Sequence, residues 1–302
     1  MLELLGLLVA CSAAALYAVG IALQAHEAKS VPVLHSLRPS LLRQLAARRL
    51  WVLGALLGLV AWLVQAGALL FTPVTIVQPA LAVGLIVLMI IGSTRLGEHV
   101  GRQEVFGVLA VVAGISGLAF AAPPHHASHT GGATLAITLT ILGAAAFAPY
   151  MVTRLAERRA GFLVAGAGLA YAFVGLVTKF ASDDFIDRKT VGLLFWLLLA
   201  LLAVGLGMLT EMSAFQHRPA TQVVPVVLTA QAVVPVLLAP LVAHEHWSSN
   251  ALGRLGLAGS LVLVALGAWR LGRSRTVIAT VRPETAPNPP GSGPQGEAFQ
   301  SA

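Results

Sequence analysis

The chain has 302 residues, of which 57% are hydrophobic and only 10% are charged. A single soluble core cannot hide that much apolar surface, so the lipid bilayer is expected to be the solvent of this chain. The net charge of +7 does not imply nucleic acid as a partner, because the basic residues lie between apolar segments instead of along a groove. The single cysteine, Cys11, excludes an internal disulfide and a cysteine-built metal site.

Long apolar segments recur along the chain. Each is close to the roughly 20 residues that cross about 30 Å of hydrocarbon as a helix, whereas the strands of a membrane barrel would alternate in polarity. The sequence therefore predicts an all-α, polytopic membrane protein with about nine transmembrane helices. The predicted spans are residues 2–24, 50–71, 74–94, 104–122, 133–152, 162–180, 191–213, 220–243 and 251–270.

The basic residues between these spans are distributed unevenly. Of the 19 lysines and arginines, 15 fall on one side of the predicted topology and four on the other. By the positive-inside rule, this bias predicts a multi-pass protein of the cytoplasmic (inner) membrane with its N-terminus outside and its C-terminus in the cytoplasm.

A proline-containing stretch at residues 72–79 recurs in the second half of the chain. A shift of 146 positions places Gln65 on Glu211 and Pro79 on Pro225. An odd number of spans separates the copies, so they would cross the membrane in opposite directions, as an inverted internal repeat. The predicted organisation is a first membrane repeat over 1–122, a linker helix and loops over 123–160, a second membrane repeat over 161–273 and a disordered cytoplasmic tail over 274–302.

Polar residues inside the predicted spans are candidates for a solute path, because polar groups are costly in hydrocarbon. Glu211 is the acid in the inner part of a span, and Gln65 could line the same cavity from the other half. Alternatively, Glu211 reaches cytoplasmic water or pairs with His217 or Arg218. The candidate substrate-binding residues are Gln65, Thr75, Gln78, Pro79, Lys179, Glu211, Thr221, Gln222, Pro225 and Gln231.

Several of these candidates have a second interpretation. Pro79 and Pro225 would free backbone carbonyls for an ion or polar solute if they lie inside their helices, but would only start the helix if they lie in its first turn. Gln231 would contact a ligand or bond to a neighbouring helix. Lys179 would bind an anion, counter Asp183 or Asp184, or extend to the membrane surface.

A weaker second repeat, with an offset near 155, aligns Tyr17 with the region of Tyr171. Tyr17 and Tyr150 could stack on a solute, with interface anchoring as the alternative for Tyr150. Glu98 and Glu245 precede the openings of predicted helices, where an acid complements the positive end of a helix.

Two segments between spans carry weaker signals. Residues 25–49 contain leucines at helical spacing among arginines, which predicts an interfacial helix with its leucines at the acyl boundary; a solvated basic loop is the alternative. Those leucines are Leu34, Leu37, Leu41 and Leu45. A loop with His125, His126 and His129 lacks acidic or cysteine partners, so a flexible loop is favoured over a metal site. No reactive constellation or phosphate-binding glycine loop occurs, so neither enzymatic activity nor a cofactor is expected.

The repeat resembles a known family. Leu96-Gly97-Glu98 followed by Gly107 and Gly114 is similar to the EamA-type repeat of the drug/metabolite transporter superfamily. His244-Glu245-His246 with Gly253 and Gly256 is similar to its second copy.

Within that superfamily, the string Phe71 to Pro79 and the outside N-terminus resemble the NIPA-type magnesium transporter branch. That branch has an acidic residue and an asparagine where this chain has Trp62 and Gln65. A site with one acid and several amides suits a polar organic solute or a proton-coupled process at least as well as a hard cation.

The resemblance implies a permease that moves a small solute or ion by alternating access. The alternatives are a NIPA-like magnesium transporter and a non-transporting membrane scaffold. The expected partners are the solute or ion and the lipid bilayer, with a second copy of the chain as a candidate.

Overall fold

The computed structural model describes residues 2–69, 74–121, 133–152, 160–242 and 251–273, and every regular element in these ranges is helical. A short 3₁₀ turn, Val33–His35, precedes the second α-helix. The α-helices are α1 Leu2–Ser30, α2 Pro39–Ala46, α3 Arg49–Leu69, α4 Val74–Arg95, α5 Arg102–Ala121, α6 Ala133–Met151, α7 Ala160–Ile186, α8 Thr190–Phe215, α9 Ala220–Val242 and α10 Ala251–Arg273.

All of these α-helices except α2 are long, between 19 and 29 residues, and each coincides with one of the apolar segments predicted to be a span. Counted over the residues whose side chains are described, five of them are long and apolar enough to cross a membrane: α1, α7, α8, α9 and α10. The number becomes six if α2 and α3, which meet at a bend of 94°, are counted as one broken span. The chain is therefore a membrane protein whose described part is all helical, as its composition predicts.

The long helices pack in two sets. In the first half α1 packs on α3 and α4, and α4 contacts α5; in the second half α7 packs on α8 and α9, and α9 contacts α10. The halves meet along α5 and α10, where the helices approach so closely that a Cβ on Gly267 would lie 2.6 Å from the carbonyl oxygen of Gly107. Small residues allow this contact because two backbones can then touch.

The connection between α1 and α3 differs from its prediction. Leu37, Leu41 and Leu45 are buried in the protein core, whereas Leu34 is 82% exposed. The interfacial placement predicted for Leu37, Leu41 and Leu45 is therefore wrong. A helical apolar stripe can pack on protein as well as on lipid, and here it packs on protein. We call residues 31–48 the end plug, since they cover the C-terminal end of α8.

Candidate functional site

The last two turns of α8 are the part of this helix that enters the protein. The earlier turns expose apolar side chains such as Val191 and Leu201, while every residue from Leu209 to Phe215 is buried. Glu211 lies in this inserted part and is only 8% exposed. An acid is costly in such surroundings unless a polar group satisfies it or it has a functional role.

Tyr171 of α7 supplies a polar group for Glu211. Its hydroxyl donates a hydrogen bond of 2.8 Å to Oε2 of Glu211. The ring reaches this position because Gly207 lies one turn before Glu211 on α8. A Cβ on Gly207 would lie 3.2 Å from the Tyr171 ring, so a larger residue there would push the phenol away from the acid.

Tyr17 of α1 belongs to the same cluster. It is close enough to interact electrostatically with both Glu211 and Tyr171, and it is 43% exposed. Three helices therefore bring one carboxylate and two phenols together, with Tyr17 contributed by the first half and the other two by the second. We call Tyr17, Tyr171 and Glu211 the acid–tyrosine cluster.

A third tyrosine holds α8 from the other side. The Tyr150 hydroxyl lies 2.9 Å from Oγ1 of Thr210, and its ring stacks on Phe147 with centroids 5.1 Å apart. Thr210 also donates to the carbonyl of Leu206 at 2.7 Å. Tyr150 thus joins α6 to α8 beside Glu211, through hydrogen bonds of its hydroxyl to Thr210 and to the carbonyl of Leu206.

The end plug closes the molecule just beyond Glu211. The backbone N–H of Leu37 donates to Oγ of Ser213 at 2.9 Å, and Nε2 of Gln216 donates to the carbonyl of Val31 at 3.1 Å. At the start of α3, Nε1 of Trp51 donates to Sδ of Met212 at 3.3 Å. These contacts join the first half to the buried end of α8.

Glu98 makes a second connection between the halves at this end. Its Oε1 accepts from Nζ of Lys29 at 2.7 Å and from the N–H of Ala220 at 2.8 Å. Its Oε2 accepts from the N–H and the Oγ1 of Thr221 at 3.1 Å and 2.8 Å. A Cβ on Gly92 would lie 3.0 Å from Oε2 of Glu98, so a glycine leaves room for the carboxylate.

Glu98 therefore caps a helix, as the sequence indicates, but the helix is α9 and not the one that follows Glu98 in the chain. Its negative charge lies against the amides that α9 leaves unsatisfied at its N-terminus. Burial alone would raise the pKa of Glu98. The hydrogen bond and charge of Lys29 and the amides of Thr221 and Ala220 lower this pKa by more, so the net shift is downward. Glu104 performs the local role instead, accepting from the Gly101 N–H at 2.9 Å at the start of α5.

The remaining predicted residues are spread over several helices. Gln65 is half-buried on α3, and the hydroxyl of Tyr171 on α7 is a hydrogen-bond partner of Glu211. Gln222 and Pro225 are buried on α9, while Gln231 is exposed on the same helix. The side chains of Thr75, Gln78, Pro79 and Lys179 lie outside the described part of the chain, as do Glu245 and the histidines at 125, 126 and 129.

The backbone does place the two repeat-related prolines. Pro79 and Pro225 are each the sixth residue of their helices, α4 and α9, so the first-turn interpretation is wrong. A proline in the second turn has no N–H for the carbonyl four residues before it. The carbonyls released in this way belong to Thr75 and Thr221.

Sequence reasoning did not assign Tyr171 or Lys29 to the site. Tyr171 could have been found through the weaker repeat, which aligns it with Tyr17. Lys29 carries no comparable signal, because its partner Glu98 is 69 residues away in the chain.

The comparisons with known proteins identify one similar sequence of unassigned role. A protein of Corynebacterium glutamicum described as uncharacterized is 24% identical over 286 residues, which cover 92% of this chain and 98% of that protein. No family model matches the chain. No solved structure matches it either.

Proposed function

We propose that this protein is a permease of the drug/metabolite transporter type that moves a small solute across the membrane by alternating access. The observation that carries the proposal is the acid–tyrosine cluster. A buried carboxylate drawn from one half of the protein and a phenol from the other lie together, which is where a transporter built from two repeats is expected to bind its solute.

The packing of the helices supports an inverted-repeat architecture. The pair α1–α3 has its counterpart in α7–α8, the pair α1–α4 in α7–α9, and the pair α4–α5 in α9–α10. The sequence repeat aligns each of these helices with its counterpart. The two repeats contact each other through α5 and α10. A nine-span topology with 15 of the 19 basic residues on the cytoplasmic side completes the proposal.

The cluster suits a solute that carries a hydrogen-bond donor or a positive charge. Oε2 of Glu211 already accepts from Tyr171, so Oε1 is the oxygen that would receive the donor of the solute. Tyr17 adds an aromatic ring to the cluster, and the faces of aromatic rings attract cations. The same carboxylate could exchange its proton for the solute, which would couple the two movements.

Magnesium fits these groups less well. No set of three histidine, cysteine, aspartate or glutamate side chains gathers within the described ranges. Magnesium is held by carboxylates and waters in octahedral geometry, whereas the cluster offers one carboxylate and two phenols. An organic solute is therefore the proposed cargo.

Thermal unfolding of the purified protein tests whether the cluster binds a solute. A panel of magnesium, amino acids, nucleosides, sugars and organic cations is added, and a compound that binds the native state must raise the midpoint temperature. We expect an organic compound to do so for the wild type and not for Glu211→Gln. Stabilisation by magnesium with loss in Glu211→Gln would instead support the magnesium transporter.

Two tyrosine variants make the test specific. Tyr171→Phe removes the hydrogen bond to Glu211, whereas Tyr150→Phe removes a hydroxyl that contacts Thr210. The proposal predicts that only Tyr171→Phe weakens the response to the stabilising compound. If no compound in the panel raises the midpoint, a non-transporting scaffold becomes the better interpretation.

A further inference from the structure

We infer that the end plug is the gate at this end of the protein, and that its separation from α8 opens the acid–tyrosine cluster to water. The inference rests on the proposed function, because a binding site between two halves must be reached from each side in turn. Its evidence lies at the seam between the end plug and the C-terminal turns of α8.

The end plug covers the turn of α8 that carries the acid. Leu37 contacts Ser213, which is two residues from Glu211, and Val31 contacts Gln216 at the end of the helix. Both Leu37 and Ser213 are buried. While these contacts hold, the end plug lies over this end of α8, and every residue from Leu209 to Phe215 is buried.

The closed seam contains features that oppose it. Leu37 has a φ of 56°, in the left-handed region that a bulky side chain rarely adopts. Oγ of Ser36 and Oε1 of Gln216 are buried without a hydrogen-bond partner in the described structure. Strained backbone and unsatisfied polar atoms persist only where neighbouring contacts outweigh them, and they often mark elements with two arrangements. Opening would relieve all three.

The end plug is also attached to the first half of the protein, since it connects α1 to α3 in the chain. Nη1 of Arg48 forms an ion pair of 2.7 Å with Oε2 of Glu27 on α1. α2 meets α3 at a bend of 94°. The end plug should therefore move with α1 and α3 when the halves separate, and the bonds from Glu98 to α9 must release at the same time.

Cysteine accessibility tests the gate without any solute. Cys11→Ala with Glu211→Cys places a single thiol at the cluster of the full chain in lipid nanodiscs, and its rate of modification by a water-soluble trimethylammonium methanethiosulfonate is measured. Ser213→Ala removes the acceptor of the Leu37 N–H, and we expect modification about tenfold faster, since a buried N–H without an acceptor favours the open arrangement.

Thr140→Ala is the matched control. Ser213 and Thr140 each donate to the carbonyl four residues earlier in their own helix at 2.7 Å, but Thr140 is exposed on α6 and takes no part in the hydrogen bonds of the end plug. Its substitution should leave the rate unchanged. Equal rates for the two variants would overturn the gate.

If Ser213→Ala does not yield folded protein, Gln216→Glu is the second variant, because it replaces the Nε2 donor with an oxygen that faces the carbonyl of Val31 and should also weaken the closed seam. A faster rate supports the gate, and an unchanged rate refutes it. The outcome is independent of solute binding. If the seam opens but no compound binds, the gate is supported and the proposed solute site is refuted. If a compound binds but the modification rate does not respond to the seam variants, the solute site is supported and the gate is refuted.

Discussion

Replacing Glu98 with glutamine should destabilise the protein more than its position in a loop would suggest. The carboxylate receives four hydrogen bonds from Lys29, Ala220 and Thr221. Glutamine has one oxygen, so its NH₂ group would face N–H and O–H donors that it cannot satisfy. The variant therefore weakens the cap of α9 and removes the charge that pairs with Lys29 of α1.

The size of the effect follows from these contacts. A hydrogen bond to a charged group contributes about 1.5–3 kcal/mol to stability, and a negative charge in a partly buried position at a helix N-terminus contributes up to about 2 kcal/mol. The share of Lys29 is discounted because its side chain is 35% exposed. We expect Glu98→Gln to lower the free energy of unfolding by about 2–4 kcal/mol.

The pH dependence of this loss has a definite sign. Although burial raises the pKa of Glu98, the charge and bonds around it lower the pKa below its usual value in the folded state. Such a carboxyl stabilises the fold above its ordinary pKa of about 4.3, and the contribution disappears as the pH falls through the folded pKa. The gap between wild type and Glu98→Gln should be full at pH 7 and should close in acid.

Chemical unfolding in detergent, followed by tryptophan fluorescence between pH 7 and pH 3, measures this gap. Glu104→Gln is the control, since a glutamine can still accept the backbone N–H of Gly101 that Glu104 accepts, and the change should cost less than about 0.5 kcal/mol. The reasoning is refuted if both variants lose the same stability, or if the gap for Glu98→Gln is unchanged at low pH.

Further predictions concern the end plug and the cluster. Leu41→Ala should lower the free energy of unfolding by about 2–5 kcal/mol because the side chain is fully buried in protein. Leu34→Ala should change it by less than about 0.5 kcal/mol, because Leu34 is exposed. Similar small losses in both variants, measured by chemical unfolding, would instead place both leucines at the lipid boundary. Tyr171→Phe should weaken the apparent affinity for the stabilising solute about tenfold through loss of one hydrogen bond to a carboxylate, with titrated thermal shifts as the measurement. An equal loss in Tyr150→Phe would contradict this, because Tyr150 bonds to Thr210 and not to the acid.

The positions of the long helices could be predicted from the sequence because each apolar run is as long as the bilayer is thick. The environment of the leucine stripe in the end plug could not. Leu37, Leu41 and Leu45 have the same periodicity whether the opposing surface is lipid or protein, and only the packing against α8 decides between them.

The candidate site was predicted in part. Glu211 stands out because a lone acid in an apolar helix requires a partner, yet the identity of that partner depends on which helices are adjacent. The same holds for Glu98, whose bond to Ala220 joins residues 122 positions apart in the chain. Local sequence indicates that an acid near a helix start acts as a cap, but not which helix it caps.

Solute uptake into proteoliposomes tests the central claim most directly. The compound that stabilises the purified protein is supplied outside vesicles that contain wild-type protein or Glu211→Gln, and its accumulation is followed together with the internal pH. We expect saturable uptake with the wild type and none with Glu211→Gln. A compound that binds at the cluster but does not enter the vesicles with wild-type protein would contradict the assignment as a permease.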